Sequence, residues 1–311
     1  MAKRKILIDC DTGTDDAIAL VAALYDKNAE VVGLTAVNGN VALKYTARNT
    51  LNLARYLGFD DIPVAKGADT PLRPHSVHFG DGTHGATGLG CVTLPDTDKP
   101  FYGRSAVELI REQAEAAKGE LEIVAVGPLT DIAIAFILYP EIKKLIKHLY
   151  IMGGAMVGGN MSPTAEFNIW VDPEAARYTF LSGVPITMVG LDVTTRAIMN
   201  ADDSAAIRKV GTKAATVVAD ILDFMLDRFK KGGEDALMHD ALALGSALCP
   251  ECVKTHPYFV DVECEGTYTF GHTMVDRENM LHREPTAEVA YDLDLPAFKK
   301  WLYNNIKNSA E

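Results

Sequence analysis

The chain has 311 residues, 48% of them hydrophobic, so it can bury the core of one large α/β domain or two small ones. A net charge of −12 at pH 7 argues against nucleic-acid binding, because that function requires a basic surface. No apolar run could span a membrane, the five cysteines are scattered and no linker interrupts the chain, so we expect one cytoplasmic domain over residues 1–311.

The first predicted strand, residues 5–8, leads into a stretch with four carboxylates: Asp9, Asp11, Asp15 and Asp16. The apolar periodicity that follows predicts a helix beginning at Asp15 and Asp16. Such closely spaced carboxylates are costly unless a cation lies among them, and their hard oxygen atoms favour Ca²⁺ or Mg²⁺. Helix capping alone would explain Asp15 and Asp16 but not Asp11, which follows the strand.

The rest of the chain alternates strand-like and helical patterns, which predicts an α/β fold with a mostly parallel central sheet flanked by helices. Further strands are expected at residues 31–37, 121–126, 148–152 and 185–191. Helices are expected at residues 43–57, 129–138, 173–181 and 295–306. Residues 202–232 are predicted to be a helical insertion near the active site, and residues 258–275 a β-hairpin. The Gly- and His-rich residues 79–85 are expected to form a mobile lid.

Five ordered segments of the sequence resemble the inosine–uridine-preferring nucleoside hydrolase family. They are residues 9–17, 36–40, 126–131, 152–168 and 239–241. The resemblance extends from about residue 5 to residue 245. It implies a Rossmann-like nucleoside hydrolase fold, hydrolysis of ribonucleosides to free base and ribose, and a homodimer or homotetramer. A role in nucleoside catabolism and nucleobase salvage would follow.

The resemblance also implies a metal site and two catalytic residues. Ca²⁺ would be bound by Asp11, Asp16, Asp240 and the backbone carbonyl of Val126. Because Ca²⁺ acidifies water only weakly, a base is still needed, and Asp11 is the candidate. His239 is the candidate acid toward the leaving base, since its unperturbed pKa of about 6.5 allows proton donation near neutrality. A histidine here is found in the family's pyrimidine-preferring and nonspecific members.

Polar side chains are expected, by the same resemblance, to bind the ribose hydroxyls. They are Asp15, Asn40, Asn160, Glu166 and Asn168. Met152 is the expected apolar ribose contact, and His84 is a second candidate for contact with the base. Phe224, Arg228 and Phe229 lie in the helical region that would close over the base; base stacking and ordinary core packing both remain open for them.

Two other functions fit part of the sequence. One is a haloacid-dehalogenase-like, Mg²⁺-dependent phosphatase, in which Asp9 would be the nucleophile. The other is a protein that binds a nucleoside or sugar through Ca²⁺ without turnover. One departure from the family pattern also matters: Asp131 stands where Asn is common, and its extra charge near the metal can alter metal affinity.

Overall fold

The computed structural model describes residues 3–74, 82–229 and 235–311, except for the side chain of Phe229. The strands are β1 Arg4–Cys10, β2 Ala29–Ala36, β3 Val64–Lys66, β4 Leu121–Ala125, β5 Ile146–Met152, β6 Ile186–Val189, β7 Ile198–Met199, β8 Ala236–Leu237, β9 Val253–Tyr258, β10 Val260–Val262, β11 Thr273–Val275 and β12 Ala287–Leu293. The helices are α1 Thr14–Leu24, α2 Leu43–Tyr56, α3 Ala106–Ala117, α4 Thr130–Leu138, α5 Phe167–Val171, α6 Pro173–Phe180, α7 Leu191–Thr194, α8 Ala201–Arg208, α9 Lys213–Phe229, α10 His239–Leu248 and α11 Leu295–Asn308. Two short 3₁₀ helices cover Pro140–Lys144 and Pro250–Cys252.

Eight of these strands form one sheet in the order β3-β2-β1-β4-β5-β6-β12-β9. Every neighbouring pair is parallel except β12 with the edge strand β9, so the predicted mostly parallel sheet is confirmed. In β1, Ile6 and Ile8 pack into one hydrophobic cluster, whereas Leu7 packs into another. This alternation follows from the pleat of a strand that is covered on both faces.

The strand order brings the predicted functional segments together. Strand β1 lies between β2 and β4, and β5 pairs with β4 on the other side. Because these strands are parallel, the residues that follow each of them lie at one edge of the sheet. The turn after β1, the loop after β2 and the segments after β4 and β5 therefore meet there.

Several elements differ from the sequence-based predictions. The helical insertion at residues 202–232 consists of two helices, α8 and α9, and residues 230–232 are outside the described part of the chain. Helix α8 ends at Arg208, and the break before α9 contains Gly211 with a φ of 75°, a conformation that suits glycine. Strand β3 and helix α3 were not predicted, while the hairpin is confirmed by antiparallel pairing of β10 with β11.

The predicted lid, residues 79–85, lies partly outside the described residues, which resume at Gly82. Its mobility therefore stays a prediction. Among the helices of the described segments, none is both long enough and apolar enough to cross a membrane.

Candidate active site

The turn between β1 and α1 is organised by the carboxylate of Asp16. Its Oδ1 accepts a hydrogen bond from the backbone N–H of Asp11 at 3.1 Å, and its Oδ2 accepts one from the N–H of Gly13 at 2.9 Å. Asp16 thereby satisfies N–H groups at the start of α1, as acidic residues in a first helical turn commonly do. Neighbouring helical positions are about 100° apart, so Asp15 points in another direction and is available for a different contact.

The loop after β2 fixes the carboxylate of Asp11. The backbone N–H of Asn40 donates to Oδ2 of Asp11 at 2.7 Å, and the side-chain amide of Asn40 donates to Oδ2 of Asp16 at 3.0 Å. The preceding residue must be small, because a Cβ on Gly39 would lie 2.1 Å from Oδ2 of Asp11. Asn40, predicted to bind ribose, thus also holds the two carboxylates in place.

The carboxylates at this edge form a buried acidic cluster. Single oxygen atoms of Asp15, Asp16 and Asp240 all lie within 4.8 Å of one another, as metal ligands would. Burial raises the pKa of Asp16 to about 7 and raises the pKa values of Asp11 and Asp240 well above their usual range. The negative charge of Asp15 adds to each of these shifts. A bound cation would reverse them, since it favours the charged form of each acid.

One oxygen of the Asp11 carboxylate has no hydrogen-bond donor among the described residues, which independently indicates that a ligand is needed. No donor among the described residues reaches its Oδ1, although the side chain is buried. A buried carboxylate oxygen without a partner is costly, and a cation would remove that cost. The acidic cluster and this oxygen therefore fit a metal ion. The three acids whose oxygen atoms lie within 4.8 Å of one another include Asp15 and not Asp11. The sequence had predicted Asp11, Asp16 and Asp240 as the metal ligands, together with the Val126 carbonyl.

The opposite wall is built by the segment around α5. Glu166 caps this helix: its Oε1 accepts from the N–H of Asn168 at 3.0 Å and its Oε2 from the N–H of Gly154 at 2.9 Å. Burial raises the pKa of Glu166 to about 7, against the opposing effect of these backbone donors. The side-chain amide of Asn168 donates to the carbonyl oxygens of Val126 at 2.8 Å and Met152 at 3.1 Å. Asn168 therefore connects the ends of β4 and β5.

Two histidines approach the site from different elements. His239 begins α10, and its Nδ1 lies 2.8 Å from Oγ1 of Thr194. Burial lowers the pKa of His239, and the nearby carboxylate of Asp15 opposes that shift. The Nδ1 of His84 accepts from the backbone N–H of Thr14 at 3.1 Å and lies 3.9 Å from Oδ1 of Asp15. His84 is thus tied to the first turn of α1.

A single cavity unites these residues. It is lined by Thr14, Asp15, Asn40, Thr83, His84, Val126, Met152, Asn160, Glu166, Phe167, Asn168, Met225, Arg228, Leu237, His239 and Asp240. All the predicted site residues line it except Asp11 and Asp16, which are buried in the adjoining turn. Asn160 is positioned by the N–H of Phe167, which donates to its Oδ1 at 2.8 Å.

Helix α9 contributes two residues to the cavity, and one of them, Arg228, lies in the region that the sequence analysis expected to close over the base. Met225 and Arg228, three residues apart and so on one face of the helix, line the cavity. The ring of Phe224 instead packs against Gly90, where an added Cβ would lie 2.5 Å from the ring. The sequence left both base stacking and core packing open for Phe224, and this contact favours packing. Met225 and Phe167 were not predicted as site residues. The signal for Met225 is its spacing of three residues from Arg228, which puts both on one face of the helix.

Asp131 is held by the backbone that follows β3, and its charge acts on Asp9. Its Oδ1 accepts from the N–H of Ala68 at 2.8 Å, and its charge raises the pKa of Asp9 in addition to the larger effect of burial. Asp9 itself accepts from Oγ1 of Thr35 at 2.6 Å. Burial raises the pKa of Asp131 to about 7. Asp131 therefore acts on Asp9 through its charge, and burial makes its own carboxyl harder to ionise.

Asp131→Asn should stabilise the protein more at high pH than at low pH. The folded protein holds the proton of Asp131 up to about pH 7, whereas an unfolded aspartate loses it near pH 3.9. Stability therefore falls as pH rises between these values, and the neutral amide removes that loss. The gain over the wild type should be about 1–3 kcal/mol larger at pH 8 than at pH 5. Urea unfolding at both pH values measures it; the exposed Asp60→Asn is the control, and a pH-independent difference would contradict the prediction.

Comparison with known proteins gives consistent matches over nearly the whole chain. Residues 6–300 match the family described as inosine-uridine preferring nucleoside hydrolase. The chain is 39% identical over 305 residues to a pyrimidine-specific ribonucleoside hydrolase, RihA, of Escherichia coli O1:K1 / APEC, covering 97% of this chain and 98% of the relative. Its fold matches a purine-preferring ribonucleoside hydrolase from Gardnerella vaginalis with a TM-score of 0.93 and 33% identity, covering 99% of both chains. A plant nucleoside hydrolase, PpNRh1, matches with a TM-score of 0.90 and 29% identity, covering 98% of this chain and 99% of the other.

Proposed function

Because the chain belongs to the inosine-uridine preferring nucleoside hydrolase family and is an enzyme that cleaves nucleosides, we propose that it is a Ca²⁺-dependent ribonucleoside hydrolase. It would break the N-glycosidic bond and release the free base and ribose. The observation that carries this proposal is the oxygen of Asp11 that no described donor reaches, beside a cavity lined by acids and amides. Those groups suit a neutral, hydroxyl-rich substrate.

Asp11 and His239 would divide the proton transfers of the reaction. Asp11 takes a proton from the attacking water, whose oxygen bonds to C1′ of the ribose. The electron pair of the broken C1′–N bond goes to the base nitrogen, and His239 gives the departing base a proton. The net reaction adds one water across the bond. As in glycosidases, one group acts at the water and another at the leaving group.

The metal site would consist of Asp11, Asp16, Asp240 and the backbone carbonyl of Val126. Asp15, which the structure groups with Asp16 and Asp240, is close enough to share in it. All of these are hard oxygen ligands, which favour Ca²⁺, and a backbone carbonyl is a common ligand for this ion. When bound, the ion would supply a fixed position for the water and for the ribose 2′- and 3′-hydroxyls.

The ribose would be bound by the polar wall of the cavity. Asp15, Asn40, Asn160, Glu166 and Asn168 are its proposed partners, and Met152 would contact the apolar side of the sugar. Buried groups left unpaired by a missing hydroxyl cost much more than a changed apolar contact. We therefore expect strong discrimination against 2′-deoxynucleosides.

The base would lie near His84, His239 and the residues of α9 that line the cavity. The named relatives differ in base preference: the Escherichia coli protein is pyrimidine-specific and the Gardnerella vaginalis protein is purine-preferring. The assay must therefore include both classes of base. Assembly as a homodimer or homotetramer and the single-domain organisation stay predictions.

The phosphatase alternative is disfavoured by the position of Asp9. That mechanism requires Asp9 as an exposed nucleophile, but its side chain is fully buried and its Oδ1 is occupied by Thr35. In the binding-protein alternative, Asp11 would not act as a base, because no bond is broken. It makes a different prediction, namely binding without release of base.

The deciding experiment measures free base and ribose released from inosine, uridine, cytidine and adenosine with added Ca²⁺. A phosphomonoester is tested in parallel. Equimolar release of base and ribose would support the hydrolase. Release of phosphate alone would favour the phosphatase, and thermal stabilisation by a nucleoside with no product would favour the binding protein.

A further inference from the structure

The position of His239 is fixed by two neighbouring segments. Strand β8, just before it, pairs antiparallel with β7, which follows α7 in the chain. The backbone N–H of Met238 also donates to the carbonyl of Ala197 at 2.8 Å. The backbone of His239 is therefore held against the segment that carries Thr194, but these contacts leave the rotation of its imidazole ring undetermined.

Thr194 reaches the ring itself. Its side chain is fully buried at the end of α7, and its Oγ1 lies 2.8 Å from Nδ1 of His239. The next residue, Thr195, follows α7 and is exposed, and its hydroxyl donates instead to the carbonyl of Leu191 at the start of that helix. Two adjacent threonines thus have different partners, and only the buried one contacts the histidine.

We propose that Thr194 is a positioning residue that sets the orientation of the His239 imidazole for the leaving base. A ring held at Nδ1 presents Nε2 on its opposite side, and His239 lines the cavity. A partner at the other nitrogen determines which nitrogen faces a substrate or ligand. The Thr194 hydroxyl can accept a hydrogen bond from Nδ1–H or donate one to an unprotonated Nδ1, so it can hold the ring in either tautomer. This inference rests on the proposed function of His239 as the acid.

The test replaces the hydroxyl and compares two leaving groups. Thr194→Val removes the hydrogen bond, Thr194→Ser keeps the hydroxyl, and Thr195→Val makes the same chemical change at the neighbouring exposed position. Each variant is assayed with the best nucleoside substrate and with 4-nitrophenyl β-ribofuranoside. The 4-nitrophenolate group leaves as an anion and needs no proton, so the second substrate bypasses the proposed step.

Thr194→Val should lower kcat for the nucleoside by about 10- to 100-fold, the usual effect of losing such an orienting partner. Its KM for the nucleoside and its kcat for the nitrophenyl riboside should change by less than about twofold, as should all constants of Thr195→Val. Thr194→Ser should recover most of the nucleoside activity. In a His239→Ala background, adding Thr194→Val should have almost no further effect, because the two changes remove the same contribution.

Equal losses with both substrates, or no loss with the nucleoside, would overturn the inference. So would a Ser variant as impaired as the Val variant. If Thr194→Val does not fold, Thr194→Ala is judged by the same comparison. The activity of the wild type distinguishes the two possible failures. If the wild type releases no base from any nucleoside, the proposed function fails. An active wild type with an unaffected Thr194→Val variant rejects only the role of Thr194.

Discussion

Asp11→Ala should abolish nucleoside hydrolysis while the protein stays folded. The substitution removes the proposed base and one proposed metal ligand together, so kcat should fall by at least about 10³- to 10⁴-fold. Folding should survive because the change also removes a buried carboxylate whose Oδ1 no described donor reaches. Removing such a group lowers the cost of burial. Steady-state release of base from the best nucleoside measures the loss.

The control for this prediction is Asp60→Ala, at an exposed aspartate paired with Lys99 outside the site. It should leave kcat and KM unchanged. Circular dichroism and thermal unfolding establish that both variants are folded. An Asp11→Ala protein with turnover close to wild type would refute the role of Asp11 as base.

Removal of the metal should abolish turnover, and the affinity for Ca²⁺ should rise with pH. In the metal-free protein, burial raises the pKa of Asp16 to about 7 and the pKa values of Asp11 and Asp240 well above their usual range. A cation must displace these protons, so it binds more weakly as pH falls. Each proton released changes the apparent Kd by up to about tenfold per pH unit.

Calcium titrations at pH 6, 7 and 8 by calorimetry measure both the affinity and the protons released. At about 100 times the Kd, Ca²⁺ should also stabilise the folded protein by about 2.7 kcal/mol. Asp240→Asn is the matched variant, since it removes one of the acids and should reduce the pH dependence. Turnover that a chelator leaves unchanged, or a Kd that is the same at all three pH values, would contradict this prediction.

The parts of the site that could be predicted from sequence are mainly local in the chain. The acids at positions 11, 15 and 16 fall within one strand-turn-helix unit, where their proximity needs no knowledge of the fold. The parallel sheet was also predictable, since strands and helices alternate. The resemblance then brought in residues as distant as Asp240.

The contacts between segments could not be predicted. Asn40 was expected to bind ribose, but its bonds to Asp11 and Asp16 depend on how β2 pairs with β1. Likewise, the contact of Thr194 with His239 arises because β7 pairs with β8, two strands of two residues each. Elements this short carry almost no periodic signal, so their partners emerge only from the packed structure.

If the proposed metal and sugar sites are correct, the amide of Asn168 would link nucleoside binding to metal binding. One NH₂ group donates both to the Val126 carbonyl, a proposed metal ligand, and to the Met152 carbonyl on the proposed sugar wall. A ligand that moves this amide would alter both contacts. Any factor by which nucleoside tightens Ca²⁺ must therefore equal the factor by which Ca²⁺ tightens nucleoside. In a cell with varying calcium, substrate supply would itself help to determine how much of the enzyme holds its ion.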